Sequence, residues 1–176
     1  LDIVQGNPDN PLLLQAIQNN RLRIVSDGSF KNGYSTAACV LTDSDRSFRL
    51  IIRSIIPGHA AIQDSYRAEL GGIYSALIMI HLIQTLHQLP PANIEIACDG
   101  LQALINAFHD RHLHPSQSQY DLLTCIRRQL QVSPMTWSPQ HVKGHTNNQH
   151  GHIMDLSLQH SLPSRRSTTR RHTCAP

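Results

Sequence analysis

The sequence predicts an α/β domain built on a mixed sheet, on three observations. Three strand-like runs follow one another through short connectors of turn-forming residues, and two later apolar runs are set apart by helical stretches. The first and the fourth of these runs both end in Asp-Gly. Short turns make an antiparallel meander, and helical connections add further strands to the same sheet. The expectation is a five-stranded mixed sheet, a three-strand meander plus two more strands, flanked by helices.

Residues 1–20 hold Gly6, Pro8, Asp9, Asn10 and Pro11 ahead of a short helical patch, "LLLQAIQNN", and read as a loosely packed lead-in or linker. "LRIVSD" (22–27), "TAACVLT" (36–42) and "SFRLIIRSII" (47–56) form the meander, joined by "GSFKNGY" and "DSDR". A long helix follows over about 63–89, stopped by Pro90 and Pro91. Its Tyr66, Leu70, Ile73, Leu77 and Ile80 recur at three- and four-residue steps, the stripe that should meet the sheet. "NIEIACDG" (93–100) repeats the pattern of apolar run, Asp and Gly, and a short helix covers about 101–109. After the loop "HDRHLHPS" a second amphipathic helix spans about 117–131, with Tyr120, Leu123, Ile126 and Leu130 inward and Arg127 and Arg128 outward. "MTWSPQHV" (135–142) is the last strand, at an edge because Pro139 has no amide proton to give a ladder. A short helix near 152–162 ends the expected domain, which runs over 21–162. The tail 163–176, "PSRRSTTRRHTCAP", is basic, polar and expected to be disordered.

A chain of 176 residues, 40% hydrophobic, can bury one real core. Fifteen Lys and Arg against twelve Asp and Glu give a formal charge of +3, compatible with a polyanionic partner without requiring one. Cys39, Cys98, Cys125 and Cys174 form no CxxC pair and read as small buried hydrophobes or incidental thiols of a reducing compartment. The densest apolar run, "ALIMIHLI" (76–83), falls short of the ~20 residues a spanning helix needs. With no secretory signal at the start, the expectation is an intracellular protein, cytoplasmic or nuclear, with no membrane partner. Leu1 in place of an initiator Met reads as a domain cut from a longer polypeptide.

Asp27 and Asp99 each close an apolar run and precede Gly. Either alone is a turn residue, because Asp caps local backbone and Gly tolerates positive φ. Together they are two carboxylates delivered to one end of a sheet. Glu69 falls on the helix face of Tyr66, Ile73 and Ile80, where a carboxylate is costly unless paired or metal-bound. Arg67, Arg53 or the helix dipole would satisfy it without any function. Asp155, taken singly, is a residue of a helix's first turn. Within "HVKGHTNNQHGHIMD" (141–155), His145, His150 and His152 invite a zinc reading. No Cys or acid at ligand spacing completes that site, and the reading is set aside.

Asp27, Glu69, Asp99 and Asp155, set in "SDGS", "YRAEL", "CDG" and "VKGHT", resemble type 1 ribonuclease H over about residues 21–160. No one of these motifs is specific, but together in this order on this layout they are. The resemblance is to retroelement members without a basic handle helix, since only "HDRHLHPS" stands at the handle's place. It implies an RNA/DNA hybrid as substrate, hydrolysis of the RNA strand, and an upstream reverse transcriptase domain in the same polypeptide as partner. The implied cofactor is a pair of Mg²⁺ ions, replaceable by Mn²⁺, which as hard cations suit a carboxylate cage. Asp27 would bridge both ions, Glu69 and Asp99 hold the one on the leaving-group side, and Asp155 the one on the water side. His145 would assist proton movement or product release without touching metal. Backbone amides at Gly28 and Ser29, together with Ser65, would contact 2′-hydroxyls, and Lys143 completes the nucleic-acid-binding set.

Two features depart from the family pattern. Asp64 stands where some members hold a DNA phosphate with Thr, and an acid there repels phosphate. The helix after Asp155 soon meets Pro163 and the arginine-rich tail. Two other readings compete. A catalytically silent ribonuclease H-like module would bind nucleic acid or brace a polymerase, but such modules usually lack one of the acids. An integrase or transposase core shares the sheet and typically uses three acids.

Overall fold

The computed structural model describes residues 1–110 and 112–143. Its strands are β1 (Asp2–Gln5), β2 (Arg23–Lys31), β3 (Tyr34–Thr42), β4 (Leu50–Ile55), β5 (Asn93–Cys98) and β6 (Thr136–His141). They form one sheet in the order β1-β4-β3-β2-β5-β6. Its helices are α1 (Pro11–Gln18), α2 (Ser65–His87), α3 (Leu101–Phe108) and α4 (Tyr120–Val132). β2, β3 and β4 are the expected antiparallel meander, while β5 runs parallel to β2 and β6 parallel to β5. Pro139 lies in the outermost strand β6, as its missing amide proton requires.

The sheet has one strand more than expected, and it comes from the lead-in. β1 pairs antiparallel with β4, Asp2 opposite Arg53. Asn10 then caps α1, its side chain accepting from the Leu12 amide at 2.9 Å, and Pro11 takes the first helical turn. Leu13, Ala16 and Ile17 are fully buried in the common core. Residues 1–20 are therefore not loosely packed. The turn formers at 6–11 made them look like a linker, but the apolar residues behind those turns find the same core.

β2 also runs further than the sequence indicated. Asn32 (φ 53°) and Gly33 (φ 81°) make a two-residue hairpin turn, the Asn-Gly geometry that matches strand twist, and Lys31 pairs with Tyr34. Asp27 is thus inside a strand rather than at its end. Its parallel neighbour β5 stops at Cys98, opposite Ser26, so Asp27 stands one step beyond the shorter strand.

Asp64 caps α2, its Oδ1 accepting from the Arg67 amide at 2.6 Å, and Gln88 closes it in the left-handed region (φ 51°). By length and composition α2 is apolar enough to cross a membrane, which the sequence reading had denied to every stretch. In the fold its Leu70, Ile73, Leu77, Ile80 and Ile83 are core, packed on β2 and β3. Each such side chain contributes roughly 1.5–3 kcal/mol. That burial fixes where Glu69, on the same helix, can go.

Candidate active site

Side chains alternate along β2, and two contacts show which positions face α2. A Cβ on Gly72 would lie 3.2 Å from Ser26 Cβ, and one on Gly28 would lie 2.4 Å from the Glu69 nitrogen. Helix and strand therefore touch backbone to backbone at Gly28, which no larger residue allows. A Cβ on Gly100 would in turn sit 3.1 Å from Glu69 Cγ and 3.2 Å from its Oε2. The two Asp-Gly pairs thus share a cause. One glycine admits the α2 backbone beside Asp27, the other admits the Glu69 side chain beside Asp99. The close approach that Gly28 permits is to α2.

Two of the expected acids, Glu69 and Asp99, meet at this rim, and Asp27 stands in β2 near enough for its charge to act on Glu69. The Ser26–Cys98 register makes Asp27 and Asp99 the next residues along two adjacent strands. Ligand atoms of Glu69, Cys98 and Asp99 all lie within 4.8 Å of one another. Glu69 Oε2 accepts the Cys98 thiol proton at 3.0 Å. Asp99 Oδ1 is buried with no hydrogen-bond partner. Burial pushes the Glu69 carboxyl up from 4.5 to about 7; the Cys98 hydrogen bond opposes this, and the charges of Asp99 and Asp27 add to it. Burial likewise pushes the Cys98 thiol well above its ordinary range, helped by the Glu69 charge.

None of the ion pairs among the described residues involves Glu69 or Asp99. Arg67, a candidate partner for Glu69, is engaged elsewhere. Its guanidinium, 3% exposed, donates to the Pro57 carbonyl, to Gln119 Oε1 and to both oxygens of Asp121. Gln119 Nε2 donates in turn to Asp64 Oδ2 at 3.2 Å. Asp64, expected only to repel phosphate, caps α2 and closes a clasp between the α2 N-terminus and the start of α4. Arg53 is exposed in β4. A buried orphan oxygen and crowded carboxylates without a cation are what a divalent metal would satisfy, so the residues present fit one.

Of the other expected site residues, Ser65 is exposed at the first turn of α2, Ser29 is half-buried in β2, and Lys143 is exposed after β6. His145 and Asp155 lie outside the described residues. The sequence reading missed Cys98 as a site residue, although its place directly before Asp99 in a strand was a usable signal. It also missed His141, whose Nε2 donates to the Asp99 carbonyl at 3.1 Å. Nothing local points to Gln119 or Asp121, which meet Arg67 from 52 and 54 residues away.

No protein-family model and no curated protein matches the sequence. Solved structures do. RNase H1 from the halophilic archaeon Halobacterium salinarum is similar at a TM-score of 0.52 and 16% identity, over 70% of this chain and 86% of that one. LC11-RNase H1, isolated from compost by a metagenomic approach, gives 0.50 and 14% over 71% and 86%. The same enzyme in complex with an RNA/DNA hybrid gives 0.51 and 13% over 69% and 86%. At such identities the likeness is one of architecture: the chain carries the ribonuclease H fold.

Proposed function

We propose that this chain is an endoribonuclease that hydrolyses the RNA strand of RNA/DNA hybrids using divalent metal ions. The observation that carries the reading is the meeting of Glu69 from α2 with Asp99 at the end of β5, with the Glu69 carboxyl pushed up to about 7 by burial and by the charges of Asp99 and Asp27. Crowding carboxylates costs stability, and a site that accepts this cost answers to a bound cation. Divalent ions at such a site supply an attacking water of lowered pKa and neutralise charge on the phosphodiester oxygens.

The chain's own residues do the rest. Asp27, Glu69 and Asp99, with Asp155, hold two Mg²⁺ ions, or Mn²⁺ in their place. The Arg67 clasp ties the α2 N-terminus, which carries Glu69, to the Pro57 carbonyl and the start of α4. Amides of Gly28 and Ser29 and the hydroxyl of Ser65 contact 2′-hydroxyls, Lys143 contacts phosphate, and His145 moves a proton without binding metal. A place in a retroelement polyprotein, beside a reverse transcriptase domain, is the setting this reading favours, and an intracellular one follows from it.

The test is a substrate panel: an RNA/DNA hybrid, duplex RNA and duplex DNA, each labelled and incubated with the whole chain and Mg²⁺. The expected result is cutting of the hybrid's RNA strand alone. Binding without cutting in both Mg²⁺ and Mn²⁺ would establish the silent module instead, and cutting of duplex DNA the integrase-like core.

A further inference from the structure

We propose that Glu69, Cys98 and Asp99 form a binding site for a thiophilic divalent cation of the Zn²⁺ or Cd²⁺ class. The donor set is mixed: two carboxylates and a thiol whose ligand atoms lie within 4.8 Å of one another. The second observation is Asp99 Oδ1, buried and without a hydrogen-bond partner. Zn²⁺ takes sulfur at about 2.3 Å and carboxylate oxygen at about 2.0–2.2 Å, which in a tetrahedron separates S and O by roughly 3.6 Å. The Cys98 Sγ to Glu69 Oε2 distance is 3.0 Å, so the pair opens by a few tenths of an ångström to admit the ion.

Binding exchanges one bond for another. The Cys98 S–H bond breaks, its proton leaves to solvent, the hydrogen bond to Glu69 Oε2 is lost, and the sulfur lone pair binds the cation. Cys98 itself is fully buried, while Glu69 and Asp99 are partly exposed, so the cation enters on the carboxylate side. Hard Mg²⁺ gains nothing from sulfur, whereas Zn²⁺ and Cd²⁺ do. Resting on the function proposed above, the consequence is regulatory: a thiophilic ion held by Glu69 and Asp99 displaces the ions that support cleavage, and inhibits.

The experiment titrates Cd²⁺ into the whole chain carrying Cys125→Ser and Cys174→Ser, and follows the ultraviolet thiolate-to-cadmium charge-transfer band. Zn²⁺ affinity is measured by calorimetry in parallel. Expected is a band that saturates at one equivalent and vanishes in Cys98→Ser. Zn²⁺ affinity should fall by more than the roughly 10–100-fold typical of losing an outer-shell partner, with Mg²⁺ affinity little changed. A band that survives Cys98→Ser, or equal Zn²⁺ affinity in the two proteins, overturns the site. If Cys98→Ser does not fold, Glu69→Gln decides instead: it should keep the cadmium band while weakening Zn²⁺ about tenfold or more, and unchanged Zn²⁺ affinity there also overturns the site. These readouts do not involve cleavage, so a chain that binds Cd²⁺ through Cys98 and cuts no hybrid would contradict the proposed function and leave the metal site standing.

Discussion

Replacing Glu69 by Gln should stabilise the metal-free protein at about pH 8 and change it little at about pH 4. The Glu69 carboxyl sits at about 7 in the fold against 4.5 ordinarily, because burial and the charges of Asp99 and Asp27 disfavour its ionised form. The folded state therefore binds this proton more tightly than the unfolded state. Stability must fall as pH rises from about 4.5 to about 7, and the cost is complete above that window. At about 1.36 kcal/mol per pH unit the full gap is about 3 kcal/mol. Glu69 is partly exposed and water screens it, so about 1–3 kcal/mol is the expected gain from Gln. For a domain of this size that is an increase of roughly 2–12 °C in Tm. The assay is thermal melting followed by circular dichroism, with EDTA, in buffers on either side of the window. Mg²⁺ added at the higher pH should raise the Tm of wild type and not of Glu69→Gln. An equal change in Tm at both pH values, or a lower Tm for Glu69→Gln at the higher one, would refute the repulsive carboxylate cluster.

Gly28→Ala should cost about 1–3 kcal/mol or more, since its Cβ would meet the Glu69 nitrogen at 2.4 Å and neither backbone can give way; urea midpoints measure it, and a neutral substitution would show the contact to be looser. Arg67→Met leaves Gln119 and the Pro57 carbonyl without their buried donor, while the exposed Asp121 is hydrated, and should cost about 1–3 kcal/mol. A loss below about 1 kcal/mol in the same assay would mean that the clasp does not hold α2. His145→Ala should slow single-turnover cleavage roughly 10- to 100-fold, with Mn²⁺ affinity by calorimetry unchanged; equal loss of both would make His145 a ligand.

The order of elements was legible because it rests on periodicity that needs no partner. The stripe of Leu70, Ile73, Leu77 and Ile80 reads as a buried helix face and is one. The Asp-Gly pairs were legible as a pattern, yet their cause was not, since Gly28 and Gly100 are explained only by how near α2 comes. Residues 1–20 misled because turn formers advertise a loop locally, whereas the burial of Leu13 and Ile17 is decided by strands far along the chain. The clasp was invisible for the same reason: Arg67 finds its acceptors across more than fifty residues of sequence. Cys98 stands in the "CDG" motif, but a strand cysteine ordinarily serves as a small hydrophobe, so its type alone does not mark it as a ligand.

The most direct measurement is the chemistry of the cut. A hybrid labelled in its RNA strand, incubated with the whole chain and Mg²⁺, should yield fragments with 3′-hydroxyl and 5′-phosphate ends, because an activated water attacks the phosphorus. EDTA should abolish the reaction, and Asp27→Asn should reduce it to background while its circular dichroism spectrum stays that of wild type. Cutting that persists with EDTA, or fragments ending in 2′,3′-cyclic phosphate, would mean that the RNA's own 2′-hydroxyl attacks without metal, and would contradict a hydrolase built on these carboxylates.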